Sequence, residues 1–361
     1  MPSSPAAWIL TTAKRRAIDR LRREAALRDR QALLARELEQ AVSELPGDEE
    51  MIPDERLGLM FACCHPALAL EAQVPLTLRL VGGLTVPEIA RALLLPEATV
   101  AQRLVRAKRK VRLSGIPIAE PAPELLPARL DAVLAVLYLV FNEGYAATAG
   151  DALVREDLAA EAIRLARLVH QLLPGEPEPA GLLALMLLQH SRRAARVGEH
   201  GELVLLEAQD RSRWDGAAIA EALPLVDRAL TLRRPPGPYA LQAAIAAVHA
   251  RAGRPENTDW HEIALLYGEL VRVLPSPVVA LNRAVAVAMA AGPTPGLALV
   301  GELVVRGELD DYHLLHATRA DLLRRHGERA AAAAAYERAL ELATNDAERR
   351  FLAARLDECR Q

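Results

Sequence analysis

The sequence has few aromatic residues, few cysteines and no export signal, and each shortage narrows the class of protein. Aromatic side chains make up 3% of the 361 residues, while Ala, Leu and Arg are abundant. This composition favours helices over strands. Three cysteines and an N-terminus without a basic-then-apolar segment do not fit a secreted protein held by disulfides. We therefore predict an all-α protein of the reducing cytoplasm.

Long hydrophobic runs are also lacking. The longest uninterrupted apolar run, residues 132–141, has ten residues, whereas a membrane-spanning helix needs roughly 18. We therefore expect no membrane partner. Hydrophobic residues nevertheless make up 52% of the chain, which is enough for two or three domains with cores of their own.

Charge is distributed unevenly along the chain. Residues 1–115 carry 18 Lys and Arg against 14 Asp and Glu, a balance of +4, and the remainder carries 26 against 33, a balance of -7. The three lysines, Lys14, Lys108 and Lys110, all lie in the first part, within two basic runs. An anionic partner is therefore expected to bind the first part of the chain.

Two segments interrupt the helical pattern. Residues 43–56 hold six acidic residues around two prolines and a glycine, which is typical of a solvated linker. Residues 114–127 hold four prolines. We therefore predict domains at residues 1–42, 57–113 and 128–361, joined by an acidic linker at 43–56 and a Pro-rich linker at 114–127.

The last third of the chain repeats itself. Residues 280–303 and 317–340 share a run of small residues, then a glycine, then a second helical pattern. The two glycines, Gly292 and Gly327, are 35 residues apart, close to the tetratricopeptide period of about 34. We predict an α-helical, tetratricopeptide-like repeat array, although helical hairpins of another family fit the same pattern.

A basic amphipathic helix is predicted near the start of the chain. Apolar residues recur on one face of residues 8–24, and basic side chains occupy most of the remaining surface. Such a helix does not bury its apolar stripe alone. Its candidate DNA contacts are Lys14, Arg15, Arg16 and Arg20.

Residues 71–111 hold the strongest local signal. Thr85 and Glu88 form a capping box at the start of one helix, and a short turn at residues 95–97 leads into the next. On that last helix, Val100, Leu104 and Ala107 share one side with Val111. This pattern indicates a helix-turn-helix with a basic recognition helix. The alternative is a three-helix packing unit with a solvated basic face. The candidate DNA contacts are Thr99, Gln102, Arg103, Arg106, Arg109 and Lys110.

Two polar groups in the third domain are candidates for a partner or ligand contact. The first group, which follows the apolar run, fits an acid/base site or a helix end rich in hydrogen-bonding groups. The second packs opposite charges beside a tryptophan, which fits an Arg/Asp network holding a loop or a contact surface. The groups are Asn142, Glu143 and Tyr145, and Asp210, Arg211, Arg213, Trp214 and Asp215.

No motif points to a metal, a cofactor or catalysis. Cys63, Cys64 and His65 include metal-ligating residue types, but neighbouring side chains on a helix diverge, and no second cluster completes four ligands. We expect them to pack in a core. The sequence contains no paired-histidine helix motif, phosphate-binding loop, nucleophile elbow or dinucleotide-binding glycine pattern.

Several of these segments resemble one family. Residues 83–112, GLTVPEIARALLLPEATVAQRLVRAKRKVR, resemble domain four of extracytoplasmic-function sigma factors, which reads the minus-35 promoter element. Residues 6–24, AAWILTTAKRRAIDRLRRE, are similar to the last helix of their domain two, which is associated with the minus-10 element. Residues 138–168 and 182–215 resemble a subgroup that carries a long, tetratricopeptide-like C-terminal extension.

The resemblance implies a non-enzymatic promoter-recognition subunit whose partners are promoter DNA and core RNA polymerase. The extension would modulate activity and offer a surface for a protein partner. Further domain-two helices would precede Pro5 in the family, so we expect this chain to contact a minus-35-like site without supporting transcription. The alternative is a helix-turn-helix regulator or adaptor without sigma activity. An enzyme housed in the extension has no supporting motif.

Overall fold

The computed structural model describes residues 53–93, 95–145, 156–196, 198, 204–232, 235–343 and 346–360. Across these residues the structure has fifteen α-helices, a few 3₁₀ turns and no β-strand. The predicted all-α fold is therefore confirmed. The basic helix predicted at residues 8–24, with Lys14, Arg15, Arg16 and Arg20, lies outside the described residues.

The structure divides into two compact units at Val133. In the first unit, each of the first three helices packs against the next, and the fourth packs on the second and third. The helices are α1 (Pro53–Cys63), α2 (Leu70–Leu80), α3 (Val86–Ala92), α4 (Glu97–Leu113) and the first part of α5 (Leu126–Tyr145).

The ends of the predicted linkers take part in this first unit. Residues 53–56 of the acidic segment are helical and belong to α1. In the Pro-rich segment, Ile116 is buried, and the backbone of Ala119 approaches Gly58 so closely that a Cβ there would lie 2.9 Å from its Cα. The domain boundaries proposed from composition stay predictions.

The second unit is a succession of helices, most of which pack on their neighbours in the chain. After the end of α5, the helices are α6 (Glu156–Leu172), α7 (Pro177–Ser191), α8 (Gly216–Leu232), α9 (Pro238–Arg251), α10 (Trp260–Val273), α11 (Pro277–Ala291), α12 (Pro293–Arg306), α13 (His313–His326), α14 (Arg329–Leu342) and α15 (Asp346–Arg360).

Glycine makes the sharp joints of the predicted repeats. Gly292, with φ of +93°, is the single residue between α11 and α12, and Gly327, with φ of +94°, follows α13 before α14. Both lie outside the conformations that most side chains allow. Each joint brings two helices into extensive contact. The repeated helix pairs predicted at residues 280–303 and 317–340 are therefore present.

Helix α7 is buried along most of its length and packs on α6, α8 and α9. Its residues from Pro177 to Leu188 are all buried, as expected for a helix enclosed on every side. It meets α9 with almost no side chain between them, because a Cβ at Gly181 would lie 2.6 Å from the backbone nitrogen of Ala240. The buried carboxylate of Glu178 accepts hydrogen bonds from the backbone N–H groups of Tyr239 (2.9 Å) and Ala240 (3.2 Å).

This close contact predicts an unusual response to a glycine-to-alanine change. Alanine in a helix interior normally stabilises by up to about 1 kcal/mol relative to glycine. For Gly181→Ala we expect a destabilisation of about 1–3 kcal/mol instead, because the new methyl group meets backbone that has little room to move. Chemical denaturation of the full chain, followed by circular dichroism, measures the difference.

Gly301→Ala is the matched control. Gly301 also lies inside a helix, α12, but a Cβ there would have no neighbour within 4 Å. This variant should unfold at the same or a higher denaturant concentration than the parent. If both variants were stabilised equally, the contact between α7 and α9 would not be as close as described.

Candidate nucleic-acid interface

A reciprocal cap fixes the start of α3. The backbone N–H of Thr85 donates to Glu88 Oε2 at 2.7 Å, and the N–H of Glu88 donates to Thr85 Oγ1 at 3.4 Å. The predicted capping box is therefore confirmed. Because it satisfies backbone donors that a short helix otherwise leaves to water, it helps a helix of seven residues to form.

A buried stripe sets the rotation of α4 about its axis. Val100, Leu104 and Ala107 are at most 2% exposed, and α4 packs on both α2 and α3. Val111, predicted on the same side, is partly buried. With the inner face fixed by these contacts, the residues on the opposite arc are directed outwards.

The outer face of α4 is polar and basic. Gln102, Arg106, Arg109 and Lys110 are exposed. In the described part of the chain, no carboxylate lies within 4.0 Å of these three basic groups. The other two predicted contacts, Thr99 and Arg103, flank this face and are partly buried. All six candidate residues thus lie on the outer face of α4 or on its flank.

Lys108 is not among the predicted contacts, and the structure places it beside Arg79. Its amino group is shielded from solvent and has no hydrogen-bond partner in the described residues. Burial, and then the nearby Arg79 guanidinium, lowers the pKa of Lys108. The sequence could have indicated this burial, because Lys108 lies four residues after Leu104 and that spacing puts it at the edge of the buried stripe. The pair brings two basic groups together in the first unit.

The side chains of Cys63, Cys64 and His65 each contact a different group of the protein. The thiol of Cys63 donates to the carbonyl oxygen of Leu76 at 3.9 Å, and the thiol of Cys64 lies 3.5 Å from Thr77 Oγ1. His65 Nδ1 accepts a hydrogen bond from the backbone N–H of Ala67. Among the described residues, no group of three His, Cys, Asp or Glu residues could hold a metal ion.

The first polar group of the second unit lies at the end of α5. Asn142 is partly buried in the last turn of that helix. The side chains of Glu143 and Tyr145 lie outside the described residues. A contact role for these three residues stays a prediction.

The second polar group holds loops and helix ends together. Arg211 donates to the carbonyl oxygens of His249 and Ala252 and to Thr258 Oγ1, so it satisfies carbonyl groups at the end of α9. Its guanidinium lies 5.1 Å from the ring centre of Trp214, which is buried. These contacts are those of an Arg network that fixes a loop.

Acidic residues of the same group cap neighbouring turns. Asp215 Oδ1 accepts hydrogen bonds from two N–H groups at the start of α8, and its other oxygen lies 3.3 Å from Arg193. Asp210 accepts from the backbone and hydroxyl of Ser212. Arg213 is exposed. A partner or ligand contact at Asp210, Arg211, Arg213, Trp214 and Asp215 stays a prediction.

Comparison with known families separates the chain into two matched regions. Residues 59–111 match the family described as sigma-70, region 4, and residues 129–230 match a family of unknown function, DUF6596. The chain therefore contains a sigma-70 region 4 domain, a non-enzymatic DNA-binding module, followed by a helical DUF6596 region. None of the helices in the described parts of the chain has the length and hydrophobicity that spanning a membrane requires.

Two relatives extend this comparison. The chain is 48% identical over 361 residues to an uncharacterised protein of Rhizobium meliloti, and the match covers 99% of this chain and 84% of that protein. The chain belongs to the family of that protein. It is also 32% identical over 109 residues to the ECF RNA polymerase sigma factor SigK of Mycobacterium ulcerans, which covers 30% of this chain and 57% of that protein.

The buried thiols predict how stability depends on pH. Burial raises the pKa of Cys64 from 9.0 to about 11, although a hydrogen bond with Thr77 acts in the opposite direction. Above about pH 9 the thiol ionises in the unfolded chain but not in the native one, so the free energy of unfolding falls as the pH rises. Between about pH 8 and pH 10, Cys64 should contribute a loss of about 1 kcal/mol.

Cys64→Ala and Cys64→Ser measure this contribution. Neither replacement titrates, so both variants should lose less stability than the parent over this pH range, whatever their stability at neutral pH. Urea denaturation at several pH values gives the slopes. Equal slopes for the parent and both variants would show that Cys64 ionises as readily in the native chain as in the unfolded one.

Proposed function

We propose that this chain is an RNA polymerase sigma factor of the extracytoplasmic-function type, which recognises the minus-35 promoter element through α3 and α4. The observation that carries this proposal is the exposed polar and basic face of α4, within the residues that match sigma-70 region 4. The partial match to the sigma factor SigK supports the type.

The side chains of α4 suit two tasks in DNA recognition. Arg106 and Arg109, on the centre of the outer face, have the paired donors that read guanine in the major groove, and Gln102 has the donor and acceptor that read adenine. Arg103, on its flank, and Lys110, in the last turn of the helix, suit phosphate contacts that set the position of the helix on the duplex. Thr99 lies at the start of the helix, where a hydroxyl contacts phosphate or a base.

The helical extension would act on proteins rather than on DNA. Residues 116–361 carry a charge balance of -7, which disfavours phosphate. Helix pairs of the kind at Gly292 and Gly327 commonly present extended surfaces for protein partners. In this proposal the extension modulates the factor or its contacts with core RNA polymerase, and the protein works in the cytoplasm, where the polymerase is.

The second candidate function is that of a helix-turn-helix regulator or adaptor without sigma activity. The repeated helix pairs favour it, because such arrays often serve as protein-binding scaffolds. DNA binding alone does not separate the two candidates. Competition for core RNA polymerase does.

DNA binding should depend steeply on salt and on the outer face of α4. Arg106→Ala and Arg109→Ala should each weaken binding about tenfold or more, and Arg103→Ala and Lys110→Ala should each lower the salt slope by roughly one for every phosphate that the side chain neutralises. Gln102→Ala should change the preferred sequence as well, because an amide reads a base edge. Selection of bound sequences from a random DNA pool, followed by titrations at several salt concentrations, measures both effects.

Two further variants test the assignment. Arg329→Ala removes the same charge from an exposed position on α14 and should leave DNA binding unchanged. Val100→Asp buries a carboxylate in the contact between α4 and its neighbours, so it should abolish binding by displacing the helix. If the α4 variants selected the same sequences with the same affinity as the parent, another part of the chain would read the DNA.

Competition for core polymerase separates the two candidate functions. Sigma factors share a binding site on the core enzyme, so increasing amounts of this chain should reduce transcription directed by a second sigma factor in a purified system. The template should lack the sequence that this chain selects, which removes blockage of the DNA as a cause. Undiminished transcription at saturating amounts of the chain would reject the sigma function and favour the adaptor.

A further inference from the structure

The second unit contains a cavity of about 250 Å³ that no part of the proposed function uses. Residues of α7 and α9 supply most of its lining, α5, α10 and α11 each contribute one residue, and Arg192 and Leu206 lie between α7 and α8. Ligand sites in proteins are typically concave, with a mostly apolar lining and a few polar groups. The cavity is therefore a candidate binding site.

Part of the cavity wall is apolar or aromatic. Leu185 and Leu188 of α7 face it, as does Ile245 of α9. The phenol rings of Tyr138 and Tyr267 lie in the same wall, and burial raises the pKa of Tyr267 to about 12. Tyr267 is therefore a neutral hydroxyl at physiological pH. Such a wall suits a compound with an apolar or aromatic body.

The remaining lining is polar and includes one permanent cation. Gln189, Gln242 and Asn282 contribute amide groups, and Arg192 contributes a guanidinium. Arg192 is held in place, since it donates to Gln189 Oε1 and its guanidinium lies 5.8 Å from the ring centre of Trp214. A guanidinium fixed in this way is well placed to meet a carboxylate.

The electrostatics of the cavity favour an anion. Burial, followed by the charges of Arg192 and Arg211, lowers the pKa of His249 in the cavity wall to about 4. His249 is therefore neutral at physiological pH, mainly because it is buried, and the two guanidinium charges act in the same direction. Among the described residues that line the cavity there is no carboxylate.

The size of the cavity limits the size of the anion. An engineered cavity of about 150 Å³ in another protein holds benzene, so 250 Å³ corresponds to roughly ten non-hydrogen atoms. Inorganic phosphate would leave about half of that space empty and would meet the apolar wall with no matching surface. An aromatic or branched aliphatic carboxylate fills the cavity and matches both kinds of lining.

We infer that this cavity binds a small organic carboxylate of roughly ten non-hydrogen atoms, with its carboxylate on Arg192 and its apolar body against Leu185, Leu188 and Ile245. The inference concerns the helical extension alone. It holds whether or not the chain is a sigma factor, because none of these residues lies in the segment that matches region 4.

Benzoate is a suitable probe, with benzamide as its uncharged counterpart of the same shape. Titration calorimetry on the full chain should show benzoate binding with a dissociation constant in about the millimolar range, and benzamide binding about tenfold more weakly. Benzoate should also raise the melting temperature, as a ligand of the native state does. Absence of benzoate binding at about 20 mM, or equal affinity for the two compounds, would overturn the inference.

Variants locate the binding. Arg192→Gln should remove the preference for benzoate over benzamide, while Arg192→Lys should keep part of it. Arg329→Gln, the same charge change at an exposed residue outside the lining, should bind like the parent. Ala246→Leu should fill the cavity and abolish binding of both compounds while Arg192 is unchanged.

The variants also separate misfolding from loss of the site. A cooperative melt near that of the parent shows that a variant is folded, and DNA binding through α4 should be unaffected in all four. Unchanged benzoate binding by Ala246→Leu, or an unchanged preference in Arg192→Gln, would show that benzoate binds elsewhere on the chain and would overturn the inference.

Discussion

The close contact between α7 and α9 is the constraint on which the second unit depends. Gly181 lets the two backbones approach, and the buried carboxylate of Glu178 meets the first N–H groups of α9, where the helix dipole favours a negative charge. Gly237 allows this, since a Cβ there would overlap the carboxylate. The contact holds Gln189 and Gln242 on the two sides of one cavity.

In the first unit, the two faces of α4 have different roles. The inner residues of α4 provide the packing that fixes its orientation, and the capping box stabilises the short helix before it. The outer residues contribute little to packing, so their type is left open to function. Basic side chains without a nearby carboxylate cost some stability through mutual repulsion, a cost that an anionic ligand such as DNA relieves.

The group around Trp214 shows how one network serves both stability and a site. Arg211 hydrogen-bonds with carbonyl groups at the end of α9, and Asp215 caps the start of α8. The guanidiniums of Arg211 and Arg192 both lie near the ring of Trp214. Arg211 donates its hydrogen bonds at the end of α9, whereas Arg192 lines the cavity. The cavity wall is thus supported by Arg211, Trp214 and Asp215, which were predicted from the sequence as contact residues. Arg192, which was not predicted, lies in the wall itself.

The local sequence pattern determined the helices, the capping box, the glycine joints and the two faces of α4. Each of these depends on contacts between residues that are near one another in the chain. The resemblance to sigma factors also rested on contiguous segments. The half-buried position of Lys108 beside Arg79 and the cavity between α7 and α9 depend on residues tens of positions apart. Periodicity carries no information about such distances, so only the tertiary structure decided which polar groups meet there.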